Sequence, residues 1–237
     1  MPLTRADLDT IPRYVAGKNP SDVARESGIP EAIKLASNEV PFGPLPGVVE
    51  AVAAAVADTG DVATWEGAKA LVDRALAEFG GLDVLVNNAG ILRDGYLANL
   101  SEEHWDSVIQ VHLKGHFSML RHAAAYWKAE SKAGRRRVAA VVNTASGSGV
   151  TVANAGQVNY GAAKAGIAAM TLVAAEELGQ YGVRVNAIAP VARTRLTEAT
   201  PGFGDIMRST IEEGVIDPFH PANISPLVAW LSTEKCT

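Results

Sequence analysis

Apolar and polar positions change their period several times along this chain, and each change marks an element. Ala68, Leu71, Val72, Ala75 and Leu76 recur at helical spacing, which predicts a helix over residues 64–79 closed by Gly80-Gly81. Leu82-Asp-Val-Leu-Val-Asn87 then reads as a short buried strand that turns off at Asn87-Asn88-Ala89-Gly90. Ser101 caps a second helix, with Glu102 and Glu103 in its first turn, and the pattern carries it to about Lys132. Residues 138–144 form the next strand. Residues 160–180 form a helix stopped by Gly182, and residues 184–189 a third strand broken by Pro190. Residues 193–221 read as a polar, partly helical flap, and residues 225–231 as a last short helix. Strands alternating with helices predict βαβ units and a parallel α/β sheet.

The first 58 residues have another character. Pro12, Pro20, Pro30, Pro41, Pro44 and Pro46 are half of the chain's 12 prolines. Proline lacks the amide donor and biases its predecessor toward extended geometry, so an irregular arm is expected. Short helices are expected over residues 21–27 and 46–57. Two domains follow from this contrast: an arm over 1–58 and an α/β unit over 59–237.

Composition narrows the function. Hydrophobic residues make up 48% and charged residues 20%, enough for a packed core. A net charge of −5 argues against a nucleic-acid partner, and the basic run Lys132-Ala-Gly-Arg-Arg-Arg137 reads as a solvated loop. Cys236 is the single cysteine, so a disulfide framework is excluded and a cytoplasmic setting is expected. No stretch approaches the roughly 18 apolar residues of a membrane span, and the start lacks the apolar segment of a secretory signal.

The candidate chemistry gathers between residues 141 and 165. Tyr160 and Lys164 lie four apart at the start of a helix and so share a face. A neighbouring ammonium favours the phenolate and is expected to lower the phenol's pKa. Ser146 stands at the carboxyl end of the preceding strand, the side on which such sheets bind ligands. These three groups can polarise a carbonyl, supply its proton and hold a cofactor ribose. The bland alternative is a surface tyrosine, a surface lysine and a loop serine.

Asn87-Asn88-Ala89-Gly90, Thr144-Ala145-Ser146, Tyr160-x-x-x-Lys164 and Val185-Asn-Ala-Ile-Ala-Pro190 occur in order, each at a strand end or helix start. From about Asp61 onward the chain thereby resembles the short-chain dehydrogenases/reductases. Val111-His-Leu-Lys-Gly-His-Phe117 points to the branch with hydroxyacyl-CoA dehydrogenase domains. The resemblance implies a Rossmann-like, doubly wound parallel sheet, here only its fourth to sixth strands. It implies NAD or NADP as cofactor, an alcohol/ketone substrate, possible hydroxyacyl chemistry, and a homodimer or homotetramer built on the helices containing Phe117 and Tyr160. Tyr160 would be the general acid or base, Lys164 would lower its pKa and bond the ribose, and Ser146 would hold the substrate oxygen. His112 stands where many members carry an asparagine that supports a proton relay. Asn87, Ala89, Gly90 and Pro190 would line the cofactor, Asp61 and Val62 would meet its adenine, and Thr194 would face its carboxamide.

The chain also departs from that pattern. The spacing from Ser146 to Tyr160 is one residue longer than usual, which makes Ser148 an alternative hydroxyl, and Val191 stands where glycine is common. The first strand, the glycine-rich pyrophosphate turn and the second strand have no counterpart in the text. An open edge on the strand over 82–87 is therefore expected, with residues 32–36 the one substitute strand. Residues 11–18 and 33–52 resemble the amino-terminal arm of histidinol-phosphate aminotransferases. The Schiff-base lysine and pyridine-binding aspartate of that family have no counterpart, and an arm alone cannot run its chemistry. A fusion near Asp58-Thr59 is the reading these observations suggest.

His112-x-x-x-His116, with His122 nearby, has helical metal-pair spacing but no evident third ligand, so no metal is expected. Trp105, Phe117, Tyr126 and Trp127 read as packing residues. The leading expectation is an oxidoreductase, followed by a catalytically silent interaction module and then an aminotransferase.

Overall fold

Three short runs rich in valine pair side by side in the computed structural model, which describes residues 58–198 and 217–236. They are β1 (Val84–Asn87), β2 (Ala139–Thr144) and β3 (Val183–Ile188), all parallel and in the order β1-β2-β3. Before β1 runs α1 (Trp65–Phe79), and between the strands run α2 (Glu102–Ile109), α3 (Gly115–Lys132) and α4 (Val158–Gly179). After β3 come a single turn, α5 (Arg195–Glu198), and the short helix α6 (Ser225–Leu231).

Helices cover both faces of the sheet, as a doubly wound fold requires. Alternation along the strands sends Leu85, Val141, Val183 and Val185 to one side, against Leu120, Ala123 and Trp127 of α3 and Ala174 and Leu178 of α4. Val142 and Ile188 point the other way, onto Leu231 and Cys236. Trp127 is fully buried and its indole N–H donates to the Leu82 carbonyl at 2.7 Å, so the largest core side chain also ties α3 to the approach to β1. At the strand ends a polar ladder crosses the core. Asn87 Nδ2 donates to Asn143 Oδ1 and Asn143 Nδ2 to Thr171 Oγ1, both at 2.9 Å, binding β1, β2 and α4 together.

Local signals set the boundaries. Thr64 caps α1 by accepting from Gly67 N at 3.0 Å, and Gly80 closes it with φ of 70°. Ser101 caps α2 by accepting from His104 N at 3.2 Å. The single helix expected from Ser101 to Lys132 is instead two, joined by a π turn over Gln110–Lys114. Buried histidines rather than apolar residues hold the inner face across that turn, so the apolar pattern alone could not reveal the inserted residue.

One further expectation is corrected. Trp105 and Phe117 do not pack into the core, being 39% and 47% exposed, while Trp127 does at 1%. The expected flap over 193–221 shows one helical turn, Arg195–Glu198, and residues 199–216 lie outside the described residues. The arm, its two helices and the substitute strand over 32–36 also lie outside them. Among the described residues β1 pairs only with β2, and its Val84 and Val86 are exposed on the face away from α3.

Candidate active site

The carboxyl ends of β2 and β3 and the first turns of α4 enclose a cleft with about 680 Å³ of empty space, open solvent included. Ser146, Ser148, Gln157, Tyr160, Pro190 and Thr197 supply most of its polar wall and rim, with Leu92, Val152, Val191 and Leu196 as apolar lining. Tyr160 and Lys164 lie on the inward face of α4, as their spacing requires. Lys164 is buried, and its ammonium donates to the Thr144 carbonyl while standing 5.5 Å from the centre of the Tyr160 ring. Burial lowers the Lys164 pKa to about 8.

The Tyr160 phenol is not held down as the spacing suggested. Burial pushes its pKa above the ordinary phenol value, a hydrogen bond from the Ser146 side chain opposes that rise, and the Asp94 carboxylate adds to it. The physical reason lies in geometry: the Lys164 ammonium is engaged with a backbone carbonyl and faces the ring of Tyr160. At neutral pH the phenol therefore carries its proton, which suits a donor.

Ser146 and Ser148 divide their work. Ser146 Oγ accepts from Ser148 N at 3.1 Å, leaving the Ser146 hydroxyl proton to point at Tyr160 or at an oxygen placed between them. Ser148 is buried and donates its own hydroxyl to Gln157 Oε1 at 3.0 Å, so the alternative hydroxyl is already committed. The loop bearing both serines lies directly on α4. Gly149 has φ of +80°, and a Cβ there would meet the Gly161 carbonyl oxygen at 2.2 Å, so both its backbone angle and the space require glycine.

His112 reaches the site from the π turn, a helical irregularity common at functional positions. It is 1% exposed and its Nε2 lies 3.0 Å from Ile91 N and 2.8 Å from Ile91 O. Burial first, then the Lys164 charge, lowers its pKa to about 4, against a smaller opposing effect of the Ile91 backbone. Gly90 makes room for it, since a Cβ at Gly90 would come within 2.5 Å of His112 Cε1. His116 is buried beside it and burial takes its pKa to about 3, whereas His122 turns away onto Trp65 with ring centres 4.5 Å apart. Among the described residues no three His, Cys, Asp or Glu side chains converge as metal ligands do.

The remaining candidates separate into those the cleft gathers and those it does not. Pro190 lines it, and Ala89 and Gly90 stand exposed where the chain leaves β1. Asn87 is buried in the polar ladder rather than open to a ligand. Asp61 and Val62 form the head of α1, outside the cleft lining, where Asp61 Oδ1 accepts from Ala63 N at 2.9 Å. The Thr194 hydroxyl accepts from Thr197 N at 3.3 Å, and it is Thr197 that faces the cleft. Asp94 and Gln157 joined the site unannounced. Only the nearness of Gln157 to Tyr160 in sequence hinted at its place.

A nicotinamide and its ribose fit what is present: Tyr160 and Pro190 line the cleft, the Lys164 ammonium stands 5.5 Å from the Tyr160 ring, and Ala89-Gly90 leaves exposed backbone where the chain quits β1. Such a crevice at the carboxyl ends of parallel strands is where open α/β sheets take dinucleotides.

Fold and site together define a short-chain dehydrogenase. A sequence model of the family described as "short chain dehydrogenase" matches residues 44–201, and the chain belongs to that family. Over 186 residues it is 47% identical to the hydroxyacyl-CoA dehydrogenase ChsB1 of Mycobacterium tuberculosis, covering 78% of this chain and 57% of that protein. Over 140 residues it is 44% identical to the 3-oxoacyl-[acyl-carrier-protein] reductase FabG of Staphylococcus aureus, covering 59% of this chain and 52% of that one. A crystal structure of a short chain dehydrogenase from Mycobacterium avium superposes with a TM-score of 0.66 at 53% identity, over 78% of this chain and 61% of that one. The chain thus spans little more than half the length of the curated relatives it matches.

Proposed function

We propose that the chain is an NAD(P)-dependent oxidoreductase that interconverts an alcohol and a ketone, with 3-hydroxyacyl and 3-oxoacyl thioesters as the substrate class. One observation carries the reading: Ser146 and Tyr160 line one open cleft, and the buried Lys164 ammonium stands 5.5 Å from the centre of the Tyr160 ring. Relatives named for hydroxyacyl-CoA and 3-oxoacyl substrates support the substrate class.

The nicotinamide, when bound, supplies or accepts the hydride at the carbinol carbon. The protein's residues handle the oxygen. Ser146 holds the substrate oxygen with its free hydroxyl proton, which polarises the C=O bond. Tyr160 gives its phenolic proton to that oxygen in reduction and takes the proton back in oxidation. Lys164, Ala89, Gly90 and Pro190 would hold the nicotinamide riboside, and Leu92, Val152, Val191 and Leu196 would pack the acyl chain.

The single cysteine, buried against Val142 and Ile188, fits a reducing cytoplasm. Leu172 and Val173 of α4 are 73% and 59% exposed, and with Trp105 and Phe117 they give the apolar helical surface on which a homodimer or homotetramer would form. Residues 1–58 are proposed as a separate arm.

Titration of the purified protein with NADH and NADPH, followed by nicotinamide fluorescence, tests the reading together with oxidation of either cofactor by acetoacetyl-CoA. Saturable binding and turnover support it. Absence of binding at millimolar cofactor overturns it in favour of a silent interaction module.

A further inference from the structure

We propose that Asp94 is a positioning residue for Ser146 and Tyr160, acting through Gln157 and the loop over residues 146–148. The inference rests on the reading of Tyr160 as proton donor given above, and it assigns that donor a controller.

The geometry begins with a carboxylate. Asp94, on the loop that leaves β1, accepts from Gln157 Nε2 with its Oδ2 at 3.0 Å. A carboxylate has no proton to give, so the Gln157 amide must turn its NH₂ toward Asp94 and its oxygen the other way. That oxygen receives two donors, Ser148 Oγ at 3.0 Å and Asn154 Nδ2 at 3.2 Å. With its hydroxyl fixed as a donor, Ser148 presents its backbone N–H to Ser146 Oγ at 3.1 Å. Ser146 is thereby an acceptor on one side, which leaves its own proton for the cleft that Ser146 and Tyr160 line together. Each link has a single permitted direction. Reversing the amide would place two donors against each other at Asn154 and two acceptors at Asp94.

The same carboxylate also acts through space. The charged and titratable groups facing Tyr160 are Lys164 from its own helix, His112 from the π turn and Asp94 from the loop after β1. Asp94 is the acidic one among them. Among the described residues its Oδ1 is buried without a hydrogen-bond partner and its Oδ2 accepts from the neutral Gln157 amide, so no cation pairs with the charge that favours a protonated phenol. One side chain thus orients the serine that holds the substrate oxygen and keeps the proton on the tyrosine that delivers it.

Two variants test this. Asp94→Asn keeps an oxygen for Gln157 Nε2 but removes the charge. Gln157→Leu removes all three of these side-chain hydrogen bonds and keeps the charge. Tyrosine ring-labelled protein, with Tyr160→Phe used to assign the signal, gives the Tyr160 ionisation midpoint by NMR without any substrate. In Asp94→Asn that midpoint falls by about half a pH unit, and the pH profile of kcat for acetoacetyl-CoA reduction moves the same way. In Gln157→Leu kcat falls about tenfold while KM changes by less than about threefold, because a held orientation rather than binding is lost. An unmoved Tyr160 midpoint in Asp94→Asn overturns the proposal, and so does an unchanged kcat in Gln157→Leu. If the wild-type protein shows no turnover, the functional reading fails by itself, and the midpoint in Asp94→Asn still decides this inference.

Discussion

The imidazole of His112 meets the phenol of Tyr160 edge to face, with ring centres 5.2 Å apart and planes at 88°. The contact fixes what His112 can do. Its Nε2 lies between the N–H and the C=O of Ile91, so either tautomer finds a partner there. Its Nδ1 is buried and has no hydrogen-bond partner, which makes it the one ring position open to a water or hydroxyl. A proton arriving at Nδ1 must leave by the same atom, because Nε2 is closed by a backbone amide. In a proton relay His112 would therefore act by holding a partner in place rather than by passing protons through its ring.

His112→Asn should preserve much of the turnover, since an amide side chain can also hold a water, whereas His112→Phe should lower kcat by about a hundredfold. Steady-state kinetics of the two variants side by side checks this, and equal losses would remove His112 from the mechanism.

Tyr160→Phe keeps the ring and its packing while removing the phenolic proton. Turnover should fall by at least about a thousandfold with cofactor affinity changed little. Retained turnover would show that another group delivers the proton.

Gly90→Ala should push the His112 ring from its seat, because the new methyl would lie 2.5 Å from Cε1. A loss of about 1–3 kcal/mol is expected from overpacking. Pairing it with His112→Ala should recover part of that loss in denaturant unfolding, and strict additivity would argue against the contact.

Stability should depend on the buried imidazoles. His112 and His116 have folded pKa values of about 4 and about 3, below the ordinary 6.5. Below pH ~6.5 the unfolded chain therefore binds more protons than the folded one, and stability falls as the pH drops from there toward the folded values. Each histidine should cost about 2 kcal/mol between neutral pH and about pH 5. Urea unfolding followed by tryptophan fluorescence should show His116→Leu losing its share of that slope; an unchanged slope would mean His116 titrates alike in both states.

The elements were legible where one physical rule acted alone. Gly80, Ser101 and Thr64 end or start helices by local hydrogen bonding, and the helix over 225–231 lies where its pattern put it. Tyr160, Lys164 and Ser146 were legible because a four-residue spacing on a helix after a strand has one geometric outcome. What stayed hidden depended on distant pairing. Nothing near Asp94 marks it as a partner of Gln157, 63 positions away. The direction of the Tyr160 shift was missed because burial, which sequence does not display, is its largest cause, while the Lys164 ammonium is engaged with the Thr144 carbonyl. Trp105 and Phe117 were misplaced because aromatic character alone does not say which side of a helix meets the sheet.

The π turn over Gln110–Lys114 has a consequence for how this chain tolerates change. One residue more than an α-helix needs is wound into it, so everything downstream on α3 is rotated by about 100° relative to an uninterrupted helix. Removing a single residue there would let the coil close to an ordinary α-helix and leave Trp127 in its socket, while His112, which sits on the turn itself, would lose its seat at Ile91. The turn thus isolates the core anchor from changes of length that the histidine would feel.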